Sequence, residues 1–413
     1  MSSTPRTYDL IIFGATGYTG KLTSKQILLN SPTTLKWAIA GRSSQKLELL
    51  ATDYNTTYPD RQPVETFVSD LSEPALDNLT KSTCCLISTV GPYLKYGTPV
   101  VAACARNGTH YVDSTGETPW VKRIIEKYHE EAKKNGAILI PQCGVESAPA
   151  ELSAYALVKF VRDKLNCGVR EMVYTIDDLK GGVSGGTAET ALSMFEHCSL
   201  SEILTSANHY SLSPVPGRPL PYTLPFRRHP TFGYLTMWIQ AIPDTTLVYR
   251  GWGLHDEGQY YGKNFEFREY KKTRNFVTAI LWVIIFSALS ALPFFAPIRW
   301  LTRKFVTQPG DGPTTEQVLK HRVEWRGIAE ADDGRAVHQR AYVSFRAEKD
   351  CYELTGILLA LTALSILFDE DTLAKKIGGG VLTPSTIATE RYFKELEKAG
   401  VFVETKMLDW LRE

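Results

Sequence analysis

The feature that most constrains the fold is a glycine-rich turn, Gly14-Ala15-Thr16-Gly17-Tyr18-Thr19-Gly20, set between a short apolar run and a stretch of helical spacing. The run Tyr8–Phe13 (YDLIIF) is short, apolar and rich in branched side chains, as a buried strand is. The stretch after the turn keeps helical spacing to about residue 29, where Ser31-Pro32 ends it, because proline cannot continue a helix. A chain that passes from strand to helix this abruptly must bend sharply. Glycine permits the bend, since it tolerates positive φ and has no Cβ to obstruct an approaching group. The helix start then presents free N–H groups and the positive end of its dipole. A strand, a glycine turn and a helix in this order open a doubly wound parallel sheet.

The next residues repeat the alternation. KWAIA (Lys36–Ala40), VETFVS (Val64–Ser69), CCLIST (Cys84–Thr89), HYVDS (His110–Ser114) and AILIPQ (Ala137–Gln142) read as strands, with helical segments between most of them. The fold class is therefore α/β, with a Rossmann-type parallel sheet over residues 1–150. Beyond residue 150 the pattern changes. A long helical stretch (Ala148–Leu165) leads to a strand (Val169–Asp177), and residues 211–235, rich in Pro, Arg and Tyr, read as a loop or lid. Val318–Ile328 and Val337–Ala347 flank Asp332-Asp333-Gly334, and the second run alternates with the period of a half-buried strand. These segments predict an α+β substrate domain over residues 151–384 that carries an antiparallel sheet. Residues 385–413 read as a C-terminal helix packing back on the first domain.

The context of the glycine turn points to a dinucleotide, with the pyrophosphate held by Gly14, Thr16, Gly17, Tyr18, Thr19 and Gly20. An ordinary strand-to-helix turn is the plainer alternative. The second strand ends Ala40-Gly41-Arg42-Ser43. An NAD enzyme usually places an acid there for the ribose 2′-hydroxyl, whereas Arg42 and Ser43 suit the 2′-phosphate of NADP(H). Asp70, after the third strand, can meet the adenine amine or simply cap a helix. Val90 and Gly91, in the turn Thr89–Tyr93, are small enough to let a nicotinamide lie against the backbone. Other strand ends carry polar residues, at Asp113–Glu117 and Gln142–Ser147, and Ser184–Thr187 precedes a helix. Tyr155 and Lys159 have the Tyr-x-x-x-Lys spacing of a proton relay, but two residues on one face of an ordinary helix account for it.

Charge excludes other classes. The 46 basic and 45 acidic residues leave +1, with no basic arm to attract nucleic acid. The seven cysteines show no CxxC and no metal-ligand spacing, which predicts reduced thiols, a cytoplasmic setting and no metal. Residues 275–298 carry no charge yet are flanked by basic residues at both ends (Lys271, Lys272 and Arg274; Arg299, Arg303 and Lys304). That pattern fits a buried helix pair, a peripheral contact with a membrane or lipid droplet, or, less well because of Pro293 and Pro297, a span. The apolar run Leu354–Phe368 is shorter and reads as core.

Taken in order, several segments resemble the saccharopine dehydrogenase-like oxidoreductase family. They are GATGYTG, the AGR at strand two, VGPY, GTHYVDSTGE (Gly108–Glu117), CGVESAPAEL (Cys143–Leu152), SGGT, PGDGPTTEQ (Pro309–Gln317) and GVLTPST. The family usually carries Asp where Glu146 stands. The resemblance implies an NADPH-dependent oxidoreductase of one of two kinds. One is a trans-acting enoyl reductase that reduces α,β-unsaturated acyl groups beside a polyketide synthase. The other acts on the C–N bond of saccharopine, and would need arginine clamps such as Arg218, Arg227 and Arg228. Under the first, Tyr93 and His110 are candidates for protonating the α-carbon or polarising the carbonyl. A different class remains open, a non-catalytic lipid-surface protein that keeps the nucleotide fold.

Overall fold

The computed structural model describes residues 6–179, 194–291 and 322–408. The first part alternates as its hydrophobic pattern requires: β1 (Tyr8–Phe13), α1 (Tyr18–Asn30), β2 (Trp37–Gly41), α2 (Ser44–Thr57), β3 (Glu65–Val68), α3 (Glu73–Ser82), β4 (Thr83–Ser88), α4 (Tyr93–Asn107), β5 (His110–Asp113), α5 (Thr118–Lys134) and β6 (Ile138–Ile140). Then follow α6 (Ala148–Leu165), β7 (Val169–Leu179), α7 (Leu200–Ser206), β8 (Phe226–His229), β9 (Gly233–Thr236), α8 (Ala241–Leu254), β10 (Glu266–Thr273) and α9 (Phe276–Ala291). The last described stretch holds β11 (Val323–Ala331), β12 (Arg340–Ala347), α10 (Cys351–Phe368), α11 (Leu373–Ile377), β13 (Gly380–Val381), α12 (Glu390–Lys398) and β14 (Val401–Leu408).

Two seven-stranded sheets result. The first is parallel throughout, in the order β13-β6-β5-β4-β1-β2-β3. Order reverses around β1, so a crevice opens beyond the carboxyl ends of β1 and β4, the usual ligand site of such a sheet. The second runs β14-β12-β11-β7-β10-β9-β8. It is antiparallel except between β7 and β10. The long connection between those two strands is the kind of crossover a parallel pair needs, so the sheet is mixed rather than purely antiparallel.

Three expectations change. The stretch 211–235, read as a loop or lid, contains β8 and most of β9, which pair as a hairpin at the sheet edge. Edge strands tolerate charge, so Arg227 and Arg228 do not mark irregular chain. The C-terminal segment is not a helix alone. Gly400 turns at φ +84°, and β14 then pairs along the whole of β12, so the end of the chain completes the second sheet. Finally, the chain returns to the first sheet well after residue 150. Helix α10 packs on α1, β13 extends the sheet, and a Cβ at Gly356 would lie 3.1 Å from the Leu22 and Thr23 backbone. Helix α10 is apolar on every face because its residues 354–366 are all buried.

Helix α9 is the opposite case. Of its apolar residues Phe276, Val277, Leu281, Ile284 and Ile285 are exposed, and only Ala279 in 276–288 is fully buried. This part of the charge-free segment is therefore not a buried helix. Residues 292–298, the SGGT turn and the 309–317 motif lie outside the described residues.

Candidate active site

At the glycine turn, β1 ends and Gly14 takes φ +88°, its N–H donating to the Ala40 carbonyl at 2.9 Å. A Cβ at Gly20 would sit 2.4 Å from the Gly14 oxygen and 2.7 Å from the Ala15 Cα, so only glycine allows α1 to begin this close to β1. Gly17 occupies the N-cap without a side-chain acceptor. The first N–H groups of α1 are thus left for an anion, which is the test a pyrophosphate would set. The Tyr18 ring turns away to meet Tyr352 edge-on at 5.3 Å, so Tyr18 would contribute backbone only. Thr89 and Val90 close the far side: a Cβ on Gly14 would meet Thr89 Oγ1 at 2.8 Å and Val90 Cγ2 at 3.0 Å. Gly91 follows in the same turn.

Arg42 stands exposed just past the end of β2, with no hydrogen bond or ion pair among the described residues. Ser43 has a structural task, because its hydroxyl accepts the Lys46 N–H as the N-cap of α2. A groove of about 410 Å³ runs beside them, lined by Thr16, Lys21, Lys46, Leu49, Leu50 and Asp53. Lys46 is therefore a second cation near Arg42 that the sequence reading missed, and only the geometry of the α2 start brings it forward. Asp70 is exposed at the end of β3. Its carboxylate accepts both the N–H and the hydroxyl of Ser72, which holds its pKa below the usual range. It braces the turn before α3, whose N-cap is Ser72, so it is not itself the helix cap.

The catalytic candidates fare differently. His110 begins β5 at the level of Cys85 and Leu10, whereas Asp113, Ser88 and Phe13 mark the carboxyl edge. Three residues of strand, roughly 10 Å, separate it from the crevice. Its Nδ1 accepts the Ile138 N–H at 3.0 Å, and burial pushes its pKa down to about 4. His110 is on the wrong edge to protonate a substrate. Tyr93 is at the right edge but buried, its hydroxyl donating to the Ser88 carbonyl at 3.0 Å beside Ser114. Burial raises its pKa further. A proton committed in this way makes Tyr93 a latch between β4, α4 and the β5 turn rather than an acid. Tyr155 stacks among His255 and Tyr260, and Lys159 is paired with Asp163 at 2.6 Å, so the two form no relay.

The acids of the strand-five turn are also stitches. Asp113 accepts from the N–H groups of Thr115 and Gln142 and from the Tyr111 hydroxyl. Glu117 accepts from the N–H groups of Tyr93 and Leu94 at 2.8 and 2.6 Å, capping α4 from outside. Burial lifts these two carboxyls to about 6 and about 7.

Beyond β6 the chemistry is of another kind. Gln142 adopts φ +62° with both amide atoms buried and unpartnered. Glu146 reaches over the strand-five turn, where a Cβ on Gly116 would come within 2.3 Å of its Oε2. The second half of the chain closes on this loop, with Gln240 Nε2 donating to the Val145 carbonyl at 3.2 Å. One turn further along α8, Asp244 lies near Glu146 and against Glu269 of β10, and Ser147 approaches it without a well-formed hydrogen bond. Asp244 Oδ1, both oxygens of Glu269, Ser147 Oγ and Trp238 Nε1 are buried and unpartnered. No spacing rule links residues 146, 244 and 269, which is why sequence reasoning did not find them.

Residues 10–140 match the family model described as the saccharopine dehydrogenase NADP binding domain. Over 99% of its length the chain is 30% identical to a putative trans-acting enoyl reductase of Mycobacterium tuberculosis, all of which is covered. It is 27% identical over the same share to the whole of a trans-acting enoyl reductase of Mycobacterium leprae. Among solved structures, apo histidine-tagged saccharopine dehydrogenase (L-Glu forming) from Saccharomyces cerevisiae has a TM-score of 0.56, covering 97% of this chain and 100% of that one. Its 14% identity makes this a likeness of fold.

Proposed function

The chain belongs to the saccharopine dehydrogenase-like oxidoreductase family and is an NADP-dependent oxidoreductase, and on that premise we propose that it reduces the α,β double bond of an acyl substrate as a trans-acting enoyl reductase. The observation that carries this reading is the end-to-end similarity to relatives bearing that name. The state of the arginines supports it. Arg218 and Arg227, two of the clamps a saccharopine-type substrate would need, already pair with Glu266 and Glu171. An acyl chain carried by a polyketide synthase is the substrate class that fits.

When bound, NADPH supplies the hydride that adds at the β-carbon. The protein's part is to hold and orient. The uncapped N–H groups of Tyr18, Thr19 and Gly20 would take the pyrophosphate, and Arg42 with Lys46 would take the 2′-phosphate. The turn Thr89–Gly91 would keep the reactive end of the cofactor against the backbone. Stopped-flow absorbance with an enoyl thioester tests the reading: NADPH is consumed stoichiometrically with saturated product. Absence of oxidation with every acyl acceptor, free or carrier-bound, would leave only a nucleotide-binding scaffold.

We further propose that the protein works at a membrane or lipid-droplet surface from the cytoplasmic side. The exposed apolar residues of α9 follow Lys271, Lys272 and Arg274, the combination an interfacial helix uses on anionic lipid. Flotation with phosphatidylserine vesicles should recover the wild type, and the double variant Leu281→Asp/Ile284→Asp should stay in the soluble fraction. Equal flotation of both would remove α9 from the contact.

A further inference from the structure

The wall of acids beyond β6 has no function in holding the cofactor, and it is not arranged for stability. A buried carboxyl group normally finds a cation or a set of donors. Asp113 and Glu117 do so, each accepting at least two N–H groups. Glu146 makes no hydrogen bond and no ion pair among the described residues, yet its side chain keeps part of its surface open. It hangs over Gly116 at the carboxyl ends of β5 and β6, in the crevice where the substrate's reacting carbons must lie if the nicotinamide rests on Thr89–Gly91. The titratable groups facing it are Glu117 from the start of α5, Asp244 from α8 and Cys351 from the start of α10. None is a cation. Behind it, Asp244 lies beside Glu269, and neither Asp244 Oδ1 nor either Glu269 oxygen has a hydrogen-bond donor among the described residues. Two neighbouring carboxyl groups, buried with no donor to hold either charge, cannot both ionise freely, so the pair keeps a proton. The Ser147 hydroxyl, buried and without a hydrogen-bond partner among the described residues, stands beside Asp244.

We propose that Glu146 is the acid that protonates the α-carbon, and that the Asp244–Glu269 pair stands behind it as the store from which it is reprotonated. The inference rests on the enoyl reductase reading. Hydride adds to the β-carbon, and the π electrons of the double bond move to the α-carbon and its carbonyl. The O–H bond of Glu146 breaks, its proton forms the new C–H bond at the α-carbon, and the electron pair stays on the Glu146 carboxylate. The proton held by the Asp244–Glu269 pair then passes to Glu146, and a proton taken up from solvent restores the pair. Burial without a counter-charge, which raises Glu146 to about 6 and holds a proton on the pair, keeps the donor form available.

The test is Glu146→Gln in the full-length enzyme, with Glu146→Asp as the conservative variant. In the cofactor-free protein at pH 5.5, the infrared carbonyl band of protonated carboxyl groups should lose intensity in Glu146→Gln. With an enoyl thioester, Glu146→Gln should lower kcat about 100-fold or more, the usual yield of a placed acid. NADPH affinity and KM should stay within about threefold. The wild-type kcat should fall as pH rises through about 6, and that limb should vanish in Glu146→Gln. Glu146→Asp should recover part of the rate. An unchanged infrared band, or an unchanged kcat and pH profile in Glu146→Gln, overturns the assignment while leaving the enoyl reading intact. Failure of the wild type to reduce any enoyl thioester overturns both.

Discussion

Between Gly14 and Arg42 the surface assigned to the cofactor is made of one local stretch of chain, and its key atoms are backbone. Across the crevice, the acid wall gathers Glu146 from the β6 loop, Asp244 from α8 and Glu269 from β10, and its key atoms are side chains. The first surface offers free backbone N–H groups and cations, the second carboxyl groups that no cation faces among the described residues. An anion completes one and a proton the other. The two regions therefore answer different perturbations: the glycine side should respond to cofactor phosphate, and the acid wall to pH.

The larger effect is expected at Arg42. Its guanidinium is exposed and unpaired, so its removal costs no internal contact among the described residues. Arg42→Ala should weaken NADPH binding about 10- to 100-fold, the range of one or two charge-assisted hydrogen bonds. NADH affinity and thermal stability should hardly move. Fluorescence titration of both cofactors measures this directly. An equal loss for NADH and NADPH would mean that Arg42 does not read the 2′-phosphate, and Lys46 would become the next residue to replace.

The same contrast explains what was legible in advance. The glycine turn, the parallel sheet and the Arg42 position are set by neighbours in sequence, through φ limits, helix dipoles and period-2 runs. Long-range assembly has no such signature. His110 looked catalytic because the residue type suits proton transfer, but register puts it at the amino end of β5. Tyr93 was placed at the correct edge, and its hydroxyl was then consumed by the Ser88 carbonyl. Asp244 and Glu269 lie among ordinary residues, and only the closure of α8 and β10 on the β6 loop makes them neighbours. The C-terminal strand β14 was missed for a related reason. Its alternation is weak, and pairing with β12, far away in sequence, determines its conformation.

The smaller effect concerns the pair itself and needs no substrate. Asp244 lies well above its ordinary value through burial and the neighbouring Glu269 charge, and burial raises Glu269 to about 7. In the unfolded chain both titrate near 4. Over the window between about 4 and 7 the folded protein therefore holds more protons than the unfolded one. By linkage, the pair's contribution to stability must fall as pH rises through that window, by roughly 1.4 kcal/mol per pH unit for each proton retained. Asp244→Asn keeps the shape and supplies an amide donor to Glu269, so the remaining carboxyl can ionise without a like-charged neighbour. Denaturant unfolding at pH 5, 6 and 7 should show a steeper decline for wild type than for Asp244→Asn. Other buried acids, among them Asp113 and Glu117, are common to both proteins and cancel in the difference. Parallel curves would mean that the folded pair retains no extra proton, and the acid wall would then be no better supplied for proton transfer than the glycine side it faces.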